Sequence, residues 1–174
     1  MASINIAGDT SGSISLTVPS VAGTNTVTIP ASSGSVMVSG NMPAFSAYQT
    51  TGTALSAGTT TKVLFDTKSF DTNSTFASSR FTPTVSGYYQ VNACVFVSGT
   101  TSALLTTLNA SNGASRSGSI TNIASQSQAA SMASAVMYFN GSTDYVEVQV
   151  FSSNALTTLT GQYTHFSASM VRSA

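Results

Sequence analysis

Residues 80–97 read RFTPTVSGYYQVNACVFV. Pro83 and Gly87 punctuate the first half and set a turn. After them the aromatic pair Tyr88 and Tyr89 opens an uncharged run rich in β-branched and aromatic residues, which predicts a strand. The run is apolar on both sides: Tyr89, Val91, Ala93, Val95 and Val97 on one, Tyr88, Cys94 and Phe96 on the other. A strand buried on both faces needs a second covering layer, either a sheet or a subunit.

Outward from this stretch, the chain from about Asn41 carries the same texture. Strands are expected at 44–49, 62–66, 88–97, 103–108, 131–139, 145–151 and 163–171. Turn signals between them include 56–58, Asn112-Gly113, Asn140-Gly141 and 152–154. Alternation is clearest in DYVEVQVF, where Val146, Val148 and Val150 face one way and Tyr145, Glu147 and Gln149 the other. No segment holds a helical period. Seven to ten strands in this span predict an all-β sandwich or jelly roll.

Composition narrows the function. Only 6% of the 174 residues are charged, against about 25% in soluble domains, while nine Phe and six Tyr argue for packed β-structure over a disordered Ser/Thr chain. Net charge is zero and there is no basic patch, which argues against nucleic-acid binding. A neutral surface of Ser, Thr, Asn and Gln has little electrostatic protection against association, so permanent subunit contacts are expected. No apolar run is long enough to span a membrane, and no signal peptide is expected. Cys94 is the single cysteine, which leaves no disulfide framework and no cysteine metal site.

Residues 1–40 contain no Lys or Arg and form a separate arm, with the head at 41–174. Gly12, Gly23 and Gly34 head successive eleven-residue units: GSISLTVPS (12–20), GTNTVTIPA (23–31) and a truncated GSVMVSG (34–40). The aligned apolar positions are Leu16, Val27 and Val38, then Val18 and Ile29. Each unit reads as a short strand closed by Pro19 or Pro30. One strand and one turn bury too little alone, so a neighbouring unit, another chain or a larger surface is expected to supply the rest. The alternative is a Ser/Thr-Gly linker.

The opening stretch also carries a family spacing. Phe65, Asp71 and Phe76 fall at the intervals of the C1q-like signature, and Phe81, Gly87 and Tyr89 follow at its intervals among themselves. The strand YTHFSASMV, with Phe166 and Ser167, resembles the family's closing strand, and NGSTDYVEVQV its Gly-Asp-x-Val strand. Three departures stand out: the gap from Phe76 to Phe81 is two residues short, and Val91 and Ala93 occupy positions where aromatics are usual. Residues 43–174 thus resemble the C1q and tumour-necrosis-factor jelly roll. That resemblance implies about ten antiparallel strands, a homotrimer about a three-fold axis, and core or trimer positions at Phe65, Phe76, Phe81, Gly87, Tyr89, Val91 and Phe166. The N-terminal segment, with Gly-Asp-Thr-Ser-Gly at 8–12, resembles segments of bacteriophage tail-fibre and virion proteins.

Together these resemblances imply a non-enzymatic virion protein, made in the host bacterial cytoplasm. It is expected as a trimeric capsid decoration or cement protein or a short head fibre, held to the major capsid protein or another virion protein through residues 1–40. The alternative is a tail-fibre or spike adhesin whose loops, in the 98–130 region, bind host surface carbohydrate. No catalytic residue or cofactor is expected. His165, the single histidine, reads as a surface or interface residue: Asp144 and Glu147 are its only plausible acidic partners, and no spacing brings them to it. Cys94 has no cationic neighbour and reads as a small buried side chain. Asp66 and Asp71 flank Lys68 and are the only candidates for calcium, which some C1q-like heads hold.

Overall fold

The structure is a computed structural model that describes residues 3–28, 31, 36–122 and 127–174. The chain divides into two compact units, Met1–Gly34 and Ser35–Ala174. Among the described residues there is no α-helix, only one 3-10 turn at Ser39–Asn41.

The first unit is an antiparallel hairpin of β1 (Ser3–Ala7) and β2 (Ser13–Thr17). Its loop is the Gly-Asp-Thr-Ser-Gly motif. Gly8 N donates to Gly12 O at 3.0 Å, and Gly12 sits at a φ of 78°, a conformation that glycine takes without strain. β2 belongs to the first eleven-residue unit, but β1 precedes the repeat. The second unit forms no strand at 24–28, with Val27 exposed, and Ile29 lies outside the described residues. In the third, 36–38 is likewise not a strand, and Val38 is exposed. Pro19, just past the end of β2, cannot donate to a ladder and so marks where the strand stops.

The second unit is two antiparallel sheets packed face to face. The six-stranded sheet comprises β5 (Thr59–Lys62), β7 (Phe76–Ala77), β8 (Arg80–Phe81), β10 (Leu104–Ala110), β11 (Arg116–Ser117) and β13 (Val146–Ser152). Its path is β11-β10-β13-β8-β7, with β5 beside β8 on β13. The seven-stranded sheet comprises β3 (Ala44–Gln49), β4 (Ala54–Leu55), β6 (Thr67–Asp71), β9 (Gly87–Ser98), β12 (Gln128–Phe139), β14 (Leu156–Thr158) and β15 (Gly161–Ser173). Here β12, β9, β15, β3 and β6 lie side by side, and β14 with β4 continues the end of β9.

The strand expected at 62–66 is displaced. β5 ends at Lys62, and 63–66 carry the chain from the six-stranded sheet to β6 of the seven-stranded one. Val63 N still donates to Val148 O at 2.9 Å, and beyond it polar anchors take over: Asp66 accepts from Thr50 N and Thr51 N at 2.7 and 2.8 Å, and Phe65 N donates to Ser79 Oγ at 2.8 Å. The short gap between Phe76 and Phe81 is a tight hairpin. The two Phe pair directly across β7 and β8, and Ser78 and Ser79 turn the chain at φ values of 51° and 57°. Both residues in the left-handed region match the twist of a two-residue hairpin.

Aromatic rings join the sheets. Phe45 stacks on Phe76 and Phe81 with centroids 4.7 and 4.8 Å apart and meets Phe166 edge-on at 4.9 Å. Tyr89, Val91, Ala93, Val95 and Val97 of β9 all point into this core, and Phe65 lies within it. Ala93 sits opposite Phe166 on β15 and Ala133 on β12. The small residues at 91 and 93 therefore leave room for rings from neighbouring strands, which keeps the interior close-packed. Along one margin, residues 118–121 bridge the sheets: Gly118 N donates to Thr106 O at 2.8 Å, and Thr121 Oγ1 to Ala130 O at 3.3 Å. A Cβ on Gly118 would lie 1.7 Å from Met132 O, so only glycine fits there.

Candidate functional site: an uncharged sheet face

The two outer faces of the sandwich differ in charge. On the six-stranded sheet, Glu147 accepts from Arg80 Nε at 2.7 Å and from Lys62 Nζ at 2.9 Å, and Gln149 Nε2 donates to its other oxygen at 3.1 Å. The Arg80 guanidinium lies 4.2 Å from the centre of the Tyr145 ring, a cation–π contact. Burial alone would raise the Glu147 carboxyl. The hydrogen bonds from Arg80, Lys62 and Gln149, with the Lys62 charge, outweigh it and hold the group down at about 2. Because the folded value lies below the ordinary 4.5, this stabilisation is present above pH 4.5 and is lost as pH falls toward 2. Glu147→Gln should therefore lower stability at pH 7 by about 2–3 kcal/mol, discounted for the partly solvated cations, and flatten the acid limb between pH 4.5 and 2. Thermal melts across that range check it; an acid limb as steep as in the parent would show that Glu147 does not carry the effect.

The outer face of the seven-stranded sheet is built differently. The strand register lines up side chains in rows across it: Met132, Cys94, His165 and Tyr48; then Ser134, Asn92, Ser167 and Ser46; then Val136, Gln90, Ser169 and Ala44. Tyr138 and Tyr88 close one end with rings 5.5 Å apart, and Phe96 with Tyr163, 5.7 Å apart, closes the other. Neither β12, β9 nor β3 contains a charged residue, on β15 the one Lys or Arg is Arg172, near the strand end, and the Lys68–Asp71 pair is confined to the edge strand β6. At the centre, Gln90 Nε2 donates to Asn92 Oδ1 and Ser134 Oγ at 3.1 and 3.0 Å, and Ser134 Oγ donates to Asn92 Oδ1 at 2.8 Å. Around this bonded cluster Met132 is 63% exposed and Val136 52%, and the two tyrosines are exposed as well.

Water-facing sheet strands ordinarily carry Lys, Glu or Arg. A face that instead presents Met, Val, Tyr and satisfied amides has the composition of a subunit interface core, where charge is depleted and aromatics and Met are enriched. The sequence had predicted a covering layer on both sides of residues 88–97. The second sheet covers one side; on the other, Tyr88 stays exposed and Phe96 half-buried. Sequence patterning had not singled out Met132, Val136 and Tyr138. The available signal was β12 itself, whose alternate positions Ala129, Ala133, Met137 and Phe139 are buried while the intervening ones still include Met132, Val136 and Tyr138 and no charge.

The remaining candidates take structural roles. Phe65, Phe76, Phe81, Gly87, Tyr89, Val91 and Phe166 are all buried in the head. Asp66 holds the 50–51 loop. Asp71 accepts from Thr75 N and Phe76 N at 2.9 and 3.1 Å and pairs with Lys68 at 3.1 Å. Those bonds, against an opposing contribution from burial, depress both carboxyls. The two aspartates hold different loops, and among the described residues no three His, Cys, Asp or Glu cluster as ligands for a metal. His165 Nδ1 is 3.0 Å from Gln162 O, and Asp144 binds Asn140 N and Asn112 Nδ2, so these groups form no catalytic set. Cys94 is buried between Met132 and His165, and burial raises its thiol above the ordinary value. Leu16 and Val18 of the arm are exposed.

No sequence-family model matches the chain, and no curated protein does. Solved structures do. The globular domain of zebrafish complement 1qA protein superposes with a TM-score of 0.56 at 18% identity, covering 76% of this chain and 99% of that one. Murine APRIL gives 0.59 at 12% identity over 75% and 99%. The Eiger tumour necrosis factor of S. frugiperda gives 0.55 at 9% identity over 76% and 93%. At these identities the likeness speaks for the fold, and the fold is the jelly-roll sandwich of the C1q and tumour-necrosis-factor domains.

Proposed function

We propose that this chain is a non-enzymatic structural subunit that self-associates as a homotrimer through the outer face of β12, β9, β15 and β3. Residues 1–40 hold the trimer to a larger assembly, which the sequence resemblance of that segment makes a phage particle, with the protein decorating the capsid or forming a short fibre. The observation that carries the self-association is the contrast between the two sheets. The buried Glu147 ion cluster sits on one, while on the other β12, β9, β3 and β15 short of Arg172 present an uncharged face whose exposed groups are Met132, Val136, Tyr88 and Tyr138, the Lys68–Asp71 pair lying on the edge strand β6. Homotrimers are typical of C1q and tumour-necrosis-factor domains, which supports the stoichiometry. The engagement of Glu147, Asp66, Asp71, Asp144 and Cys94 in the scaffold supports a role without catalysis.

A second reading has its own feature. Thr100, Thr101, Ser102 and Asn154 line a hydroxyl-rich cleft of about 230 Å³, with the chemistry to hydrogen-bond a neutral sugar. Binding of the full-length protein to a glycan array would favour this adhesin reading. For the leading reading, the full chain should sediment at three times the chain mass, and deletion of residues 1–40 should keep that stoichiometry but abolish incorporation into virions. A monomeric full chain overturns the assembly; normal incorporation of the truncated chain overturns the role of the arm.

A further inference from the structure

The hairpin of β1 and β2 is two-faced. Directly opposed pairs lie on the same side of a sheet, so Ile4 with Leu16 and Ile6 with Ile14 form one face, and Ser3, Asn5, Ala7, Ser13, Ser15 and Thr17 form the other. On the polar side the Ser15 hydroxyl donates to Asn5 Oδ1. The four branched residues of the apolar side are 54–68% exposed. An isolated two-stranded hairpin is at best marginally stable in water, so this face calls for a cover.

We infer that the cover is the same face of the hairpins of other copies, so that the arms of one oligomer bundle together through Ile4, Ile6, Ile14 and Leu16. This rests on the self-association of the heads proposed above. Area decides between a copy and a foreign partner. Two five-residue strands have a flat footprint on the order of 150–200 Å² per copy, from about 3.4 Å rise per residue and 4.8 Å between strands, and roughly a few hundred Å² of accessible surface once side-chain relief is counted. A stable interface between separate proteins buries about 1,200–2,000 Å² over both partners, about 800 Å² on each. One hairpin face is far too small to capture a free partner, but it suffices between arms already tethered, where the effective concentration reaches the millimolar range. Residues 18–43 span up to roughly 85 Å when extended, so they do not keep the arms apart. Charge agrees. Asp9, in the hairpin loop, is the only charged side chain before Lys62, so copies meet without repulsion along the strands, and nothing there steers a charged partner.

Cysteine scanning in the full-length Cys94→Ala chain tests this. Ile6→Cys places a thiol on the apolar face and Ser13→Cys places one on the polar face of the same hairpin. Under mild oxidation Ile6→Cys should give disulfide-linked pairs of chains at least about tenfold faster than Ser13→Cys, as expected for face-to-face contact at high effective concentration. Equal rates at the two positions, or no cross-linking, in a protein that light scattering shows to be oligomeric would overturn the arm bundle and leave the head assembly standing. A monomeric protein would overturn both.

Discussion

Tyr89→Ala is expected to destabilise the head by about 3–5 kcal/mol, the range for emptying a large aromatic site. At about 2–4 °C per kcal/mol for a chain of this size, that is a fall of roughly 6–20 °C in melting temperature. The ring is fully buried and touches Phe81 and Phe139 edge-on at 5.4 and 5.8 Å. Its hydroxyl donates to Val85 O at 2.6 Å, which ties the turn before β9 to the strand it feeds. Burial pushes the phenol up to about 12, so the group stays a neutral donor across the working pH range. Alanine would remove the ring between two others and leave the Val85 carbonyl without its donor. Tyr89→Phe separates the two contributions, because it keeps the ring and loses only the hydrogen bond, about 0.5–1.5 kcal/mol. Melts at matched protein concentration read both, since association also shifts the transition. An unchanged melting temperature for Tyr89→Ala would mean that the ring does not hold the core.

Tyr89 also shows how much of the fold was legible in the sequence. The run 88–97 announces a strand because β-branched and aromatic residues follow one another without charge, and Val146, Val148 and Val150 announce another by strict alternation. Both patterns come from burial, which selects residue type directly. The short strands β4, β7, β8, β11 and β14 were not legible. Two or three residues hold no period, and their pairing is set by distant partners, as with Leu55 opposite Leu156. The break at 63–66 was hidden for a related reason: Val63 and Phe65 are buried and read as a strand, while distant partners such as the Ser79 hydroxyl satisfy the backbone where the chain crosses between the sheets.

The candidate face was half legible. Tyr88, Cys94 and Phe96 pointed to a covered second side of β9. The other contributors, Met132, Val136 and His165, become its neighbours only through the register of β12 and β15 on β9. The arm repeat is a converse case: the eleven-residue period is real in the sequence, yet among the described residues its first unit alone forms a strand, paired with residues 3–7.

The central claim is that the uncharged face of the seven-stranded sheet joins the subunits. Met132 and Val136 lie outward on β12 in a single chain, so charge placed there costs the isolated head little. Buried at an interface, two unpaired carboxylates per subunit would cost several kcal/mol each, enough to dissociate an ordinary assembly. The direct measurement is light-scattering mass in solution of the parent, the Met132→Asp/Val136→Asp double variant, and Thr107→Asp on the opposite sheet as control. Circular dichroism confirms that each remains folded. The parent and Thr107→Asp should have the mass of three chains and the double variant that of one. A folded double variant that stays trimeric would contradict the account, because the face could not then be where the subunits meet.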